Sequence, residues 1–167
     1  MVTPETMVTI RLETHVDAPT ERVFDLARSV DVRRTAAGSG VAPIAGAVAG
    51  LSEPGESTVW RVSLLGKRFE LTTKVTAYSR PNHFRWTMTD GPMETFVHDH
   101  FFGFEDADDP EDGTVLRDVL TFETPLGPVG RVFDRAAEQR FTSILEERNA
   151  FVKRVAESDE WTQYVAE

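Results

Sequence analysis

Before residue 125 most of the chain alternates apolar and polar positions with a period of two; after it the period becomes helical. Val8, Ile10, Leu12, Thr14 and Val16 share one face of a strand, because successive strand side chains point to opposite sides. Asp17-Ala18-Pro19-Thr20 breaks that strand. Proline is tolerated where a helix starts, and acidic Glu21 suits its first turn. Val23, Phe24, Leu26 and Ala27 then give a short helix its apolar stripe. Ser29 or Asp31 can cap a second short helix running through Arg33 and Arg34. Residues 36–50, rich in Ala and Gly and containing Pro43, lack a clear period and are compatible with an edge strand or a loop over the sheet.

Ser52-Glu53-Pro54-Gly55-Glu56 reads as a turn, followed by strands over Thr58–Leu65 and Lys67–Tyr78 with Gly66 between them. After Arg80-Pro81-Asn82, Phe84, Trp86 and Met88 mark the next strand, His83–Thr89. Met93–Glu105 and Thr114–Glu123 complete an antiparallel meander around an acidic hairpin, Asp106–Gly113. From Pro128 the apolar stripe is Val129, Val132, Phe133, Ala136, Phe141, Ile144, Leu145, Phe151, Val152 and Val155, with Arg148 at the same spacing. This predicts one amphipathic helix of roughly 25–30 residues. Its other face carries Arg131, Arg135, Glu138, Glu146, Glu147 and Arg154. Residues 158–167 read as a tail in which Trp161 and Tyr164 can still dock. Strands followed by one segregated helix define an α+β layer architecture. A curved sheet cannot meet a straight helix everywhere, so a cleft is expected between them.

At 167 residues the chain fits one domain: an extension over 1–7, a body over 8–157 and the tail. No apolar run is long enough to span a bilayer and no signal peptide is visible, so a cytoplasmic protein without membrane insertion is expected. The sequence has no cysteine, which removes disulfides, thiolate nucleophiles and zinc–sulfur sites. A formal net charge of −10 argues against a nucleic-acid partner, which would need a basic footprint. Only three lysines (Lys67, Lys74, Lys153) accompany this acidic excess, a composition found in high-salt proteomes and also on ordinary solvated acidic surfaces.

Candidate chemistry concentrates in Phe96-Val97-His98-Asp99-His100-Phe101-Phe102, where Phe96, His98, His100 and Phe102 share one strand face. Two imidazoles bracketed by phenyl rings make a poor dry core and a plausible cavity wall. Each histidine can act as an acid or base. As a metal pair they would need further ligands, with Asp118 or Glu70 available, but polar wall residues bonded to Asp118, Arg61 or water are the simpler reading. No metal and no cofactor is expected. Asp118, between Leu116 and Leu120, must be paired if it is buried, and an Asp–His or Asp–Arg pair would serve. Arg61, next to Trp60, either holds a ligand carboxylate or solvates the outer face. Trp86, Phe133 and Phe141 line either a core or a tunnel. No Gly-x-Ser-x-Gly elbow or phosphate loop is present, so any reaction would be proton transfer rather than covalent catalysis.

Several motifs in order carry a resemblance: Val16-Asp17-Ala18-Pro19-x-x-x-Val23-Phe24, Ala47-Val48-Ala49-Gly50, Phe96-x-His98-x-His100-x-Phe102, Thr114-x-x-x-Asp118, Pro125-Leu126-Gly127-Pro128-x-Gly130 and Arg148-Asn149. Over residues 8–157 the chain resembles the START/Bet v 1-like superfamily of helix-grip proteins, in particular its polyketide cyclase/dehydrase-like members. The resemblance implies a curved seven-stranded antiparallel sheet gripping the C-terminal helix, with two short helices after strand one. It also implies a hydrophobic small-molecule ligand between sheet and helix; in this chain Phe96, Phe102, Trp60, Trp86, Phe133 and Phe141 would give such a ligand apolar contact, and His98, His100, Arg61 and Asp118 would orient its polar end. The superfamily contains binders and cyclases alike, and fold does not decide between them. The alternatives are a cyclase or dehydratase acting on a polyketide-like carbonyl compound, with catalytic candidates His98, His100 and Asp118, and a module whose cavity is vestigial. The oligomeric state stays open.

Overall fold

The computed structural model describes residues 7–37, 40–104 and 113–165. The acidic hairpin expected over Asp106–Gly113 lies outside them except for its last residue, as do Met1–Thr6 of the N-terminal extension. The chain runs β1 (Val8–Val16), α1 (Thr20–Arg28), α2 (Val30–Ala36), β2 (Val41–Gly46), β3 (Ser57–Leu64), β4 (Lys67–Ser79), β5 (His83–Asp90), β6 (Thr95–Phe104), β7 (Thr114–Glu123) and α3 (Arg131–Ala156). Short 3₁₀ turns precede and follow α3 at Gly127–Gly130 and Asp159–Gln163. One seven-stranded sheet results, in the order β1-β7-β6-β5-β4-β3-β2, antiparallel throughout. Together with the long terminal helix this is the α+β helix-grip architecture.

β1 and β2 lie at opposite edges, so α1 and α2 carry the chain across the sheet. The irregular 36–50 segment supplies the edge strand β2, which shifts register between Pro43 and Ala45. Proline fits an edge because it cannot donate to a ladder. At the β3–β4 hairpin Leu65 and Gly66 both take positive φ, 53° and 73°. Such two-residue turns match strand twist, and glycine adopts that backbone without steric cost.

α2 is fixed at its start. The Ser29 hydroxyl accepts from the Val32 amide at 3.2 Å, the Val30 amide bonds Gly50 O at 2.9 Å, and the Gly50 amide donates to Asp31 Oδ2 at 2.8 Å. The Ala47–Gly50 motif therefore clamps the helix that carries Arg33. Ser29 is fully buried, and Ser29→Ala is expected to lower stability by about 1 kcal/mol in urea unfolding, with the midpoint reduced and the slope unchanged.

Apolar burial holds α1 and α3 to one face of the sheet. Phe24, fully buried on α1, meets Tyr78, Phe84 and Phe102 edge-on at 5.0–5.5 Å between ring centroids. Phe141 of α3 does the same with Phe96 and Phe122 at 5.5 and 5.1 Å. Side chains of this size contribute about 1.5–3 kcal/mol each when fully buried. The expected apolar stripe of α3 does not extend to its start: Val129 is 93 % and Val132 85 % exposed. The turn before α3 is tight at Gly130, where a Cβ would sit 2.6 Å from that of Leu126. Of the expected tail, residues up to Val165 are packed: Val165 is buried, Tyr164 meets Phe151, and Arg22 lies 4.3 Å over the Trp161 ring. No helix among the described residues is long and apolar enough to cross a membrane.

Candidate functional site

Alternation along β6 sends Phe96, His98, His100 and Phe102 to the interior. Asp99 and Phe101 go to the outer face, where Asp99 takes His83 Nε2 at 2.6 Å and Arg85 Nε at 2.8 Å. The register sets His100 opposite Asp118 on β7 and Phe84 on β5, and His98 opposite Leu120 and Trp86. His98, His100 and Asp118 are 1 %, 0 % and 1 % exposed.

Asp118 is the hub. Its Oδ1 accepts from His98 Nε2 at 2.8 Å and from Arg148 Nη2 at 2.5 Å, and its Oδ2 accepts from Asn149 Nδ2 at 2.7 Å. Arg148 Nε in turn donates to Asn149 Oδ1 at 2.7 Å. The Arg148-Asn149 pair thus closes a buried ring of bonds on one carboxylate. Burial alone would push Asp118 up, but Arg148, His98 and Asn149 together hold it well below the ordinary carboxylate range. His98 is pushed down to about 4 by burial, against the opposing pull of Asp118. It is therefore neutral at pH 7, with its proton on Nε2 facing the carboxylate.

His100 stacks on Phe84 at 4.1 Å and meets Trp86 edge-on at 4.8 Å. Its Nε2 stands 3.8 Å from Asp118 Oδ1, too far for a hydrogen bond; no side chain bonds its ring nitrogens, and the Phe84 backbone is the polar group that favours its protonated form. Burial, then the charges of His98, Arg148 and Arg33, push His100 well below the ordinary imidazole value.

Arg33 completes the cluster from α2. Its guanidinium lies 3.7 Å over Trp86 and 5.6 Å from the Trp60 ring. The residue is half-buried through its outer parts, yet Nε and Nη2 are sealed from solvent with no hydrogen-bond partner. Trp60 is itself buried and donates from Nε1 to Thr73 Oγ1 at 3.1 Å.

The expected site residues divide accordingly. His98, His100, Asp118, Trp86 and Trp60 gather around Arg33 and Arg148, with Phe102 in the aromatic group above them. Phe96 and Phe141 pack below, with Phe133 half-buried beside them. Arg61 does not join: strand alternation puts it outside, 46 % exposed and 4.0 Å from Glu70, while its neighbour Trp60 takes the interior. Glu70 is exposed as well and is no candidate ligand for the histidines. Arg33, Arg148 and Asn149 are not among the expected site residues, although the sequence places Arg148 in the helix stripe and Arg148-Asn149 in a family motif. The available signal was a strong cation at an apolar spacing of α3.

His98, His100 and Asp118 offer ligand atoms within 4.8 Å of one another, a possible metal geometry. The charges disfavour it. Asp118 already accepts three donors, and Arg148 and Arg33 would repel a cation. Beneath α3, an apolar pocket lined by Leu64, Phe69, Leu71, Pro92, Met93 and Phe141 holds about 10 Å³, room for about one water. Helix and sheet are thus nearly closed here, and a larger ligand requires them to part.

A fully interior polar cluster between an antiparallel sheet and its terminal helix defines a helix-grip protein with a potential ligand site. The family described as polyketide cyclase/dehydrase and lipid transport matches residues 7–157, and the chain belongs to that family. No curated protein matches it in sequence. Among solved structures, a Thermus thermophilus protein is 18 % identical over 89 % of this chain and 99 % of its own, with a TM-score of 0.68. The Zhui aromatase/cyclase of a Streptomyces species is 15 % identical, covering 89 % and 95 %, with a TM-score of 0.63. Norcoclaurine synthase of Thalictrum flavum, in complex with dopamine and hydroxybenzaldehyde, is 10 % identical, covering 89 % and 86 %, with a TM-score of 0.62. At such identities the likeness establishes the shared fold.

Proposed function

We propose that this is a cytoplasmic protein that binds a hydrophobic small molecule, such as a lipid or polyketide, between the sheet and α3. The single observation carrying the proposal is the set of sealed, unpartnered donors on Arg33 and Arg148 beside the aromatic walls of Trp86 and Trp60. Buried polar groups normally find partners, and a site left short of them is short of a ligand. Family membership supports the same reading. The apolar side chains around Phe96 and Phe141 supply contact area, and the interior cations orient the polar end. Cysteine-free composition suits a reducing compartment, and the net charge of −10 supports no role on nucleic acid.

Native mass spectrometry of gently purified protein is expected to show a bound apolar molecule, and the neutral dye N-phenyl-1-naphthylamine to bind near one per chain. Folded protein that carries no such molecule and takes up no dye would rule the reading out.

A cyclase or dehydratase is the second reading, compatible with the family and with the aromatase/cyclase among its structural neighbours. It asks His98 or His100 to accept a proton. With His98 pushed to about 4 and His100 also depressed, each is a weak base at neutral pH. Binding therefore has the stronger physical support.

A further inference from the structure

The interior charges do not balance. Arg33 and Arg148 are cations, Asp118 is the one anion among them, and both histidines are held neutral by burial. Arg148 spends Nη2 on Asp118 and Nε on Asn149, leaving Nη1 sealed and unbonded. Among the described residues Arg33 bonds no carboxylate; its Nε and Nη2 have no hydrogen-bond partner, burial and Arg148 oppose its charge, and Asp118 supports it only from a distance. A guanidinium does not give up its proton inside a protein, so the opposition becomes a cost of folding rather than a neutral side chain. Two elements, α2 and α3, each bring unmet guanidinium nitrogen to the same neighbourhood around Trp86 and Asp118. Arginine can only donate, so water or a neutral ligand would leave the excess charge in place, and a metal ion would increase it.

Resting on the binding reading above, we infer that Arg33 and Arg148 form an interior anion site, and that the hydrophobic ligand carries a carboxylate. A carboxylate offers two oxygens that match the planar guanidinium fork, and it returns the cluster to charge balance. His100 completes the site as the neutral member, donating from whichever ring nitrogen holds its proton. The apolar part of the ligand extends from Trp86 and Trp60 toward Phe96 and Phe141. Arg33 sits at the boundary of the site, half-buried on the two-turn helix α2, so it is the group a ligand would meet on entering.

The test compares two probes of one shape, naphthalene-2-carboxylate and 2-naphthalenemethanol, by calorimetry at pH 7 on the whole chain. The carboxylate is expected to bind at least about tenfold more tightly, the size of a charge-assisted hydrogen bond. Arg33→Gln and Arg148→Gln are each expected to reduce that ratio toward one. Arg135→Gln, an exposed change on α3 with the same loss of charge, should keep it. If Arg148→Gln does not fold, Arg33→Gln alone decides. Alcohol binding as tight as carboxylate, or an unchanged ratio in Arg33→Gln, overturns the anion site while leaving hydrophobic binding standing. Failure of both probes overturns the binding reading, and the anion site with it.

Discussion

Asp118→Asn is expected to lower folding stability by about 3–5 kcal/mol, the cost of removing one partner from a buried ion pair. The substitution keeps the size of the side chain and removes its charge. Arg148 and Arg33 are then two enclosed cations with no anion beside them, and His98 loses a charged acceptor. Urea unfolding followed by fluorescence of the buried Trp60 and Trp86 measures the loss. A change under about 1 kcal/mol, the size of a surface pair, would show that the interior ring of bonds is not what holds α3 to β7. The double substitution Asp118→Leu with Arg148→Met should recover much of the loss, because removing both partners leaves no orphaned charge on that pair. Arg33 keeps the recovery from being complete.

The same residues show how far the sequence could be read. Strand alternation is a local property, so the shared face of Phe96, His98, His100 and Phe102 followed from spacing, and the need for Asp118 to be paired followed from its apolar neighbours. The partners of Asp118 did not follow. Arg148 and Asn149 reach it across 30 and 31 residues, and Arg33 enters from a helix placed by the Ala47–Gly50 clamp. Such contacts belong to tertiary packing, which no periodicity encodes. Arg61 shows the converse. Its strand was legible, but Arg61 and Trp60 compete for the inward face, and only the sheet's packing decided for Trp60. Val129 and Val132 fit the spacing of α3 but fall in the 3₁₀ turn and first helical turn, where they stay exposed. β2 is ambiguous in the sequence because Pro43 and the Ala/Gly run weaken alternation at an edge that pairs on one side only.

Stability should fall steeply as pH drops from about 6.5 toward 4, a fall that begins well above the titration of ordinary carboxylates. An unfolded histidine titrates near 6.5, whereas folded His98 does so at about 4. Above pH 6.5 both states are neutral and the protein is at full stability. As pH falls through that window the unfolded chain takes up a proton that the folded chain refuses, so stability rises with pH there. One such group is worth about 1.4 kcal/mol per pH unit, or about 3 kcal/mol across the window. His100, displaced in the same direction, adds to the slope. The stabilisation from Asp118 is present above the unfolded carboxylate value and is lost only as pH falls toward its lower folded value, so it contributes little to the slope in this range. Urea unfolding at half-unit steps from pH 7 to 4 measures the effect. His98→Gln, which can keep a donor toward Asp118 without titrating, should remove about one proton's worth of slope. A profile equally flat in the wild type and in His98→Gln would mean that His98 charges freely in the folded state, and hence that the interior of the grip is open to water.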